Sequence, residues 1–188
     1  FFNKALSDYV APKESGIEDY IGCFCVSAGF GSEELSKKYE EDNDDYSSIM
    51  IKAICDRFAE AFAEYLHKEV RTKHWGYSSN EKTSNEDLIK EKYDGIRPAP
   101  GYPACPDHLE KKTIWKLLSV EDRIGVKLTE SLAMWPAASV SGYYFGNKKA
   151  KYFGIGKIDK DQMTDYSKRR GISFKEAVKW LNPIYNDV

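Results

Sequence analysis

The stretch RPAPGYPACPDH (97–108) holds four of the chain's seven prolines around one arginine, one glycine and one tyrosine. Proline fixes φ near −65° and removes a backbone donor. Each residue before a proline is pushed toward extended geometry. Arg97, Ala99, Tyr102 and Cys105 all precede a proline, so the segment is stiffened twice over. Its remaining N–H groups, on Ala99, Gly101, Tyr102 and Ala104, are expected to point in set directions. Gly101 permits a positive φ or the close approach of a ligand. Arg97 carries a planar fork suited to a carboxylate. Tyr102 adds a flat face and a hydroxyl. Together they suit a zwitterionic ligand that carries a base: the backbone reads the base edge while Arg97 holds the carboxylate. On this reading Arg97→Ala costs about 1.5–3 kcal/mol of binding and leaves the melting temperature nearly unchanged. The plainer reading of the same stretch is a proline-rich surface connector.

Other residue sets offer less chemistry. Gly29-Phe30-Gly31 follows an expected strand, but position 34 is Glu where a dinucleotide fingerprint needs glycine. Glu33 and Glu34 would also repel a pyrophosphate, so a strand-end turn is expected there. There is no Gly-x-Ser-x-Gly elbow and no P-loop. Gly154 and Gly156 are expected inside a strand, as a close-packing site. Cys105 with His108, three apart, and His67 with His74, seven apart, are candidate ligand pairs, but neither has the usual spacing of a metal site, and packing, capping or a solvent-facing place is the preferred reading. The four cysteines, Cys23, Cys25, Cys55 and Cys105, are read as free thiols in a reducing cytosol.

The elements that must position the proline-rich loop follow from periodicity and punctuation. DYIGCFCVSAG (19–29) reads as a buried strand. The acidic run SEELSKKYEEDNDDYSS reads as a short solvated helix and a loop. From about Ser47 to His74, Ile51, Ile54, Phe58, Phe62, Tyr65 and Leu66 recur at helical spacing and are expected to face the core. Glu64 and Lys68 are placed as an i, i+4 pair on the wet side. Ser84 looks like an N-cap, with Asp87 at N3 and Gly95 closing the helix. A helix is expected through KKTIWKLL, and a strand at the start of GVKLTESLAMW. ASVSGYYFG (138–146) and AKYFGIGKI (150–158) are expected to form a β-hairpin about Gly146–Lys149. Asp159 with Gln162, and Ser173 with Glu176, read as capping boxes of two last helices parted by Gly171. Strands and helices do not alternate regularly. The fold class is therefore α+β, a single domain over 1–188 with a twisted, largely antiparallel sheet flanked by helices.

The 188 residues carry a formal net charge of −2. No electrostatic pull toward nucleic acid or anionic lipid is expected. No apolar run approaches the roughly 20 residues that span a bilayer. The start, FFNKALSDYVAPKESG, lacks the basic flank and apolar stretch of a signal peptide and reads as cut from a longer chain.

The run Arg97–Cys105 resembles the Arg-x-x-x-Gly-Tyr signature of the activation domain of cobalamin-dependent methionine synthase. DYVAPKESGIEDYIG (8–22), DRFAEAFAEYLHKEVR (56–71), LTESLAMWPAASVSGYYF (128–145) and KYFGIGKI (151–158) are similar to the same family. The resemblance implies S-adenosylmethionine as the ligand. It implies that Arg97, Ala99, Gly101, Tyr102 and Ala104 form the binding loop, with Tyr152 and Phe153 beside the ligand. Glu60 and Glu91 match acidic positions near its sulfonium, though each also reads as a solvated helix carboxylate. A further acidic residue, expected upstream at the ligand's amine, finds no assignment in FFNKALSDYV. The implied task is repair of a cytoplasmic methyltransferase of methionine biosynthesis. A cobalamin held by a separate module of the same polypeptide is remethylated, with one electron from a flavodoxin-like or flavoprotein reductase. No catalytic base and no metal ligand are assigned to this domain, which is expected to be inactive alone. Two other readings remain open: a free-standing methyltransferase using S-adenosylmethionine, and a non-enzymatic module whose proline loop docks a partner protein.

Overall fold

The computed structural model describes residues 4–186; the first three residues of the FFNKALSDYV start lie outside the described residues. From Lys4 the chain runs through two short 3-10 turns, Leu6–Tyr9 and Lys13–Ser15, the second closed by Gly16. Strand β1 (Gly22–Ser27) follows. After the turn at Gly29–Gly31 come α1 (Ser32–Glu41) and the long α2 (Asp45–Glu69), which continues as a π-helical turn over Val70–His74. Asp44 caps α2 by accepting the Ser47 N–H at 3.0 Å. The short α3 (Asn85–Ile89) has the expected Ser84–Asp87 capping box. It ends at Lys90, not at Gly95: Gly95 sits five residues later, packed under the Phe145 carbonyl and Tyr77.

Beyond the proline loop lie α4 (Glu110–Leu118), α5 (Val120–Ile124) and a small antiparallel pair, β2 (Lys127–Leu128) with β3 (Met134–Trp135). Strand β4 (Ser139–Tyr144) returns to pair antiparallel with β1, Phe24 opposite Gly142. α6 (Lys160–Arg170) and α7 (Phe174–Leu181) close the chain, separated by Gly171 as expected. Helices around short antiparallel pairs make an α+β fold.

The β1–β4 pair is sandwiched. Phe24, Val26, Val140 and Tyr144 face α2 and meet Ala59 and Ala63. The opposite face sends Tyr143 and Cys23 toward Ile114 and Trp115 of α4. The alternation follows the period of two along each strand. Ile158, Met163, Ala177 and Leu181 form a separate small core beneath α6 and α7.

Two expectations fail here. Most of the apolar stripe of α2 does not face the core: Phe58 is 63% exposed, Tyr65 58%, Phe62 44% and Ile54 41%, whereas Leu66 packs against it. The buried face instead carries Ser48, Ala59, Ala63 and His67, because small residues let the helix axis come close to the sheet. The hairpin of 138–146 with 150–158 does not form either. Ile96 exchanges both backbone hydrogen bonds with Phe145, and the Tyr143 N–H donates to the Pro98 carbonyl at 3.0 Å. Residues 96–98 and β1 therefore occupy β4 on its two sides, and no edge is left for 150–158. That segment runs as coil up to Ile158, which makes an isolated parallel bridge to Tyr185, and Gly154 and Gly156 sit in open space, not at a close-packing site. Among the described residues no helix is long and apolar enough to cross a membrane.

Candidate functional site

Gly142 lets the proline loop lie on the sheet. A Cβ there would stand 2.7 Å from the Pro98 carbonyl oxygen and 2.9 Å from the Phe24 ring. The loop then makes two tight turns in succession. The Tyr102 N–H donates to the Ala99 carbonyl at 3.2 Å, with Pro100 second and Gly101, at φ +100°, third. Proline then glycine with positive φ is the sequence of a type II turn. The Cys105 N–H donates to Tyr102 at 2.9 Å across Pro103-Ala104, and the Gly101 N–H to Cys105 at 2.8 Å. Any side chain at 101 would strike the His108 ring at 2.3 Å. At the exit, the Asp107 carboxylate accepts the Leu109 N–H at 2.8 Å, just ahead of α4, and the Tyr166 hydroxyl from α6.

The internal bonds revise the expected donor set. The N–H groups of Gly101 and Tyr102 are spent within the loop, so of the four named amides those of Ala99 and Ala104 make no hydrogen bond among the described residues.

The loop forms one wall of a cavity of about 540 Å³ lined by Arg97, Ala99, Tyr102 and Ala104 together with Glu60, Glu91, Tyr152 and Phe153. Eight of the nine residues singled out from sequence thus meet around one space. The ninth, Gly101, lines a neighbouring hollow behind the loop and acts through turn geometry. Glu60 comes from α2, Glu91 from the end of α3, and Tyr152 and Phe153 from the coil that failed to become a strand. That coil is held by Tyr9, whose hydroxyl donates to the Lys151 carbonyl at 3.0 Å and accepts the Lys151 N–H at 3.2 Å. The Tyr9 ring also stands edge-on to Phe153. The Tyr152 hydroxyl accepts the backbone N–H of Arg97 at 3.0 Å, and burial pushes its pKa up. Pro98 and Pro103, expected only to stiffen the loop, and Val140, which no motif marks, complete the lining.

Arg97 is not a free clamp. Its Nε and Nη2 both donate to Oε2 of Glu64, at 3.3 and 3.1 Å. Glu64 is therefore not the wet-side partner of Lys68: it lies one helical turn beyond Glu60, turned inward, and also accepts the Tyr93 hydroxyl at 3.0 Å. The signal was present in the sequence, since Glu60 and Glu64 are an i, i+4 pair on one helix face. Lys68, one turn further along, forms a competing i, i+4 pair with Glu64 in the sequence. The Arg97 and Glu64 side chains are 17% and 20% exposed, so truncating Arg97 strands a half-buried carboxylate. The expectation that Arg97→Ala spares the melting temperature is corrected accordingly. What remains to a ligand is the end-on edge of the guanidinium, Nη1 with the second hydrogen of Nη2.

Behind the cavity the network continues. Arg71 is fully buried and grips Glu81 through Nε at 2.6 Å and Nη2 at 2.9 Å, with the Tyr93 ring 3.7 Å from its guanidinium carbon. His67 stacks on Tyr144 and shares a 3.3 Å hydrogen bond with the Tyr77 hydroxyl. Burial, with Arg71 and Arg97 adding to it, drives its pKa down to about 2, so its ring is neutral. No group of three or more His, Cys, Asp or Glu side chains that could hold a metal occurs among the described residues. The four cysteines are free.

Residues 2–171 match the family model described as the vitamin B12 dependent methionine synthase, activation domain. The fold superposes on the crystal structure of the MetH reactivation domain bound to AdoHcy with a TM-score of 0.95 and 56% sequence identity. That match covers 97% of this chain and 56% of the other, so the chain spans little more than half the length of the structure it resembles. With the match running through nearly every element that builds the cavity, the chain belongs to the family of activation domains of vitamin B12 dependent methionine synthase.

Proposed function

We propose that this chain binds S-adenosylmethionine in the cavity beside the proline loop and presents its methyl group to a cobalamin carried by another module of the same polypeptide. The observation that carries the reading is that eight of the residues implied by the family resemblance, from four separate stretches of chain, line one space of about 540 Å³. That volume falls within the roughly 300–1,000 Å³ of small-molecule sites. The matched reactivation domain, 56% identical, was crystallised with AdoHcy, the demethylated form of the same molecule.

The donor set fits the ligand's chemistry. The end-on edge of Arg97 takes the amino-acid carboxylate. The amides of Ala99 and Ala104 are left to read polar edges of the base, and the Tyr152 and Phe153 rings supply flat apolar faces. Glu60 and Glu91 bring negative charge toward the ligand's cationic end, where attraction strengthens as water is excluded. S-adenosylmethionine would supply a methyl group made electrophilic by its sulfonium and leave as the demethylated thioether, and a cobalamin given one electron by a flavodoxin-like or flavoprotein donor would supply the nucleophile. The residues of this chain hold and aim. Among the described residues no histidine lines the cavity; methyl transfer from a sulfonium to a metal moves no proton and asks for no base. Rate enhancement on this reading comes from placement of the reacting atoms. The chain alone, lacking its nucleophile, transfers nothing. A reducing, cytoplasmic setting belongs to the same reading.

Titration calorimetry of the purified chain with S-adenosylmethionine tests the reading. Saturable binding is expected, weakened about tenfold in Arg97→Lys, which keeps a charge near Glu64 but loses the planar edge. No heat at millimolar ligand would sink the proposal. Methyl transfer is expected only when the cobalamin module and a reductant are both added.

A further inference from the structure

We infer that Glu64 is a positioning residue of the binding site: it grips one side of the Arg97 guanidinium so that the opposite edge is held out to the ligand's carboxylate. The inference rests on the proposed S-adenosylmethionine site and deepens it. Glu64 does not line the cavity; it stands behind Arg97. Its Oε2 receives Nε and Nη2 of Arg97 and the Tyr93 hydroxyl, all within 3.3 Å. At the other end of the residue the Arg97 backbone N–H is fixed to Tyr152. The arginine is thus held at both its main chain and its head.

The glutamate is held in turn. Among the described residues Oε1 of Glu64 is buried without a hydrogen-bond partner, 3.9 Å from Nη1 of Arg71, which is equally buried and unpartnered. Arg71 cannot swing away, because Glu81 takes its other two nitrogens and Tyr93 covers its face. The Glu64 carboxylate therefore sits between two guanidinium groups, one rigid and interior, one at the cavity wall. A free arginine loses much rotamer freedom when it engages a carboxylate. One already immobilised gives that up on folding, so the ligand meets a prepared edge.

A ligand pair isolates this role from a merely structural one. Decarboxylated S-adenosylmethionine keeps the adenosyl group, the sulfonium and the amine but has nothing for Arg97 to hold. Calorimetry on the wild-type chain is expected to show a preference of about tenfold or more for the intact ligand. In Glu64→Gln the preference shrinks at least about threefold, while affinity for the decarboxylated form changes less than about twofold. Equal losses for both ligands, or an unchanged preference, overturn the inference and leave the site reading standing. A wild-type chain that binds neither ligand, or ignores the carboxylate, removes the site reading and the inference with it. Should Glu64→Gln fail to fold, Tyr93→Phe is read in its place. It keeps the ring over Arg71 and removes the hydroxyl that steadies Oε2, so a smaller narrowing in the same direction is expected and an unchanged preference overturns the inference.

Discussion

Two faces of α2 carry opposite kinds of residue and do opposite things. The face turned to the sheet and the cavity holds Ala59, Ala63, His67, Arg71, Glu60 and Glu64, small or polar side chains that are mostly buried or paired. The outer face holds Ile54, Phe58, Phe62 and Tyr65, large apolar side chains left substantially in water. A helix that buried its bulkiest stripe would stand farther from the β1–β4 pair. Burying alanines lets it approach, and Phe24, Val26 and Tyr144 from the strands fill the interface instead. The same approach brings the charged residues of α2 against the loop that carries Arg97. Closeness of helix to sheet, not the hydrophobicity of the helix, thus builds the site wall.

The comparison breaks most visibly at Arg71. Its guanidinium is fully buried, and its partner Glu81 is 7% exposed at the side chain. Arg71→Ala leaves that carboxylate uncompensated and is expected to cost about 3–5 kcal/mol of stability, the range for breaking one side of a buried pair. Urea denaturation measures it. A loss below about 1 kcal/mol would mean that the network is spectator chemistry, and that the inner face of α2 is no more demanding than the outer one.

His67 sharpens the contrast through pH. Its folded pKa lies near 2, below the value of about 6.5 for a free histidine. As pH falls, the unfolded chain takes up the proton first. Stability from this group is therefore complete above pH 6.5 and declines below it by up to about 1.4 kcal/mol per pH unit. Glu81 adds a separate acid loss at lower pH. Burial alone would raise its pKa, but hydrogen bonds from Arg71 and Thr83 outweigh burial and carry it below the usual carboxylate value. Between pH 6.5 and 5, His67→Gln is expected to flatten the stability curve relative to wild type, whatever it does to the absolute value. Parallel curves would show that the ring is not held neutral.

The loop was legible because its geometry is local. Prolines at 98, 100, 103 and 106 and glycine at 101 prescribe turns whatever surrounds them, and the structure shows two such turns back to back. The capping signals at Ser84, Ser173 and Gly171 were legible for the same reason. What failed depended on distant partners. The alternation in AKYFGIGKI suits a strand, yet a strand needs an edge, and those of β4 are taken by β1, far back in the chain, and by residues 96–98. The buried face of α2 failed because periodicity reports that a helix has two faces and not which one the sheet selects. Glu64 failed because its partner, Arg97, lies in another element, while Lys68 lies one turn away. Cavity residues were found where a motif named them; the charge network behind them carries no motif.

The smallest effect tests the outer face directly. Phe58 is 63% exposed, so Phe58→Ser removes little buried area and is expected to change the stability of this chain by no more than about 0.5 kcal/mol. Ala63, a turn away and fully buried against Phe24 and Tyr144, is the control: Ala63→Leu forces extra carbons into a packed contact and is expected to cost about 1–3 kcal/mol. By residue type alone the ranking would be reversed, since losing a phenylalanine is ordinarily the graver change and alanine to leucine keeps the helix and its apolar character. A large loss in Phe58→Ser, with Ala63→Leu tolerated, would mean that the helix is rotated from the orientation described. Glu60 and Glu64 would then no longer be turned toward Arg97, and the site would lose its acidic wall together with the grip on its arginine.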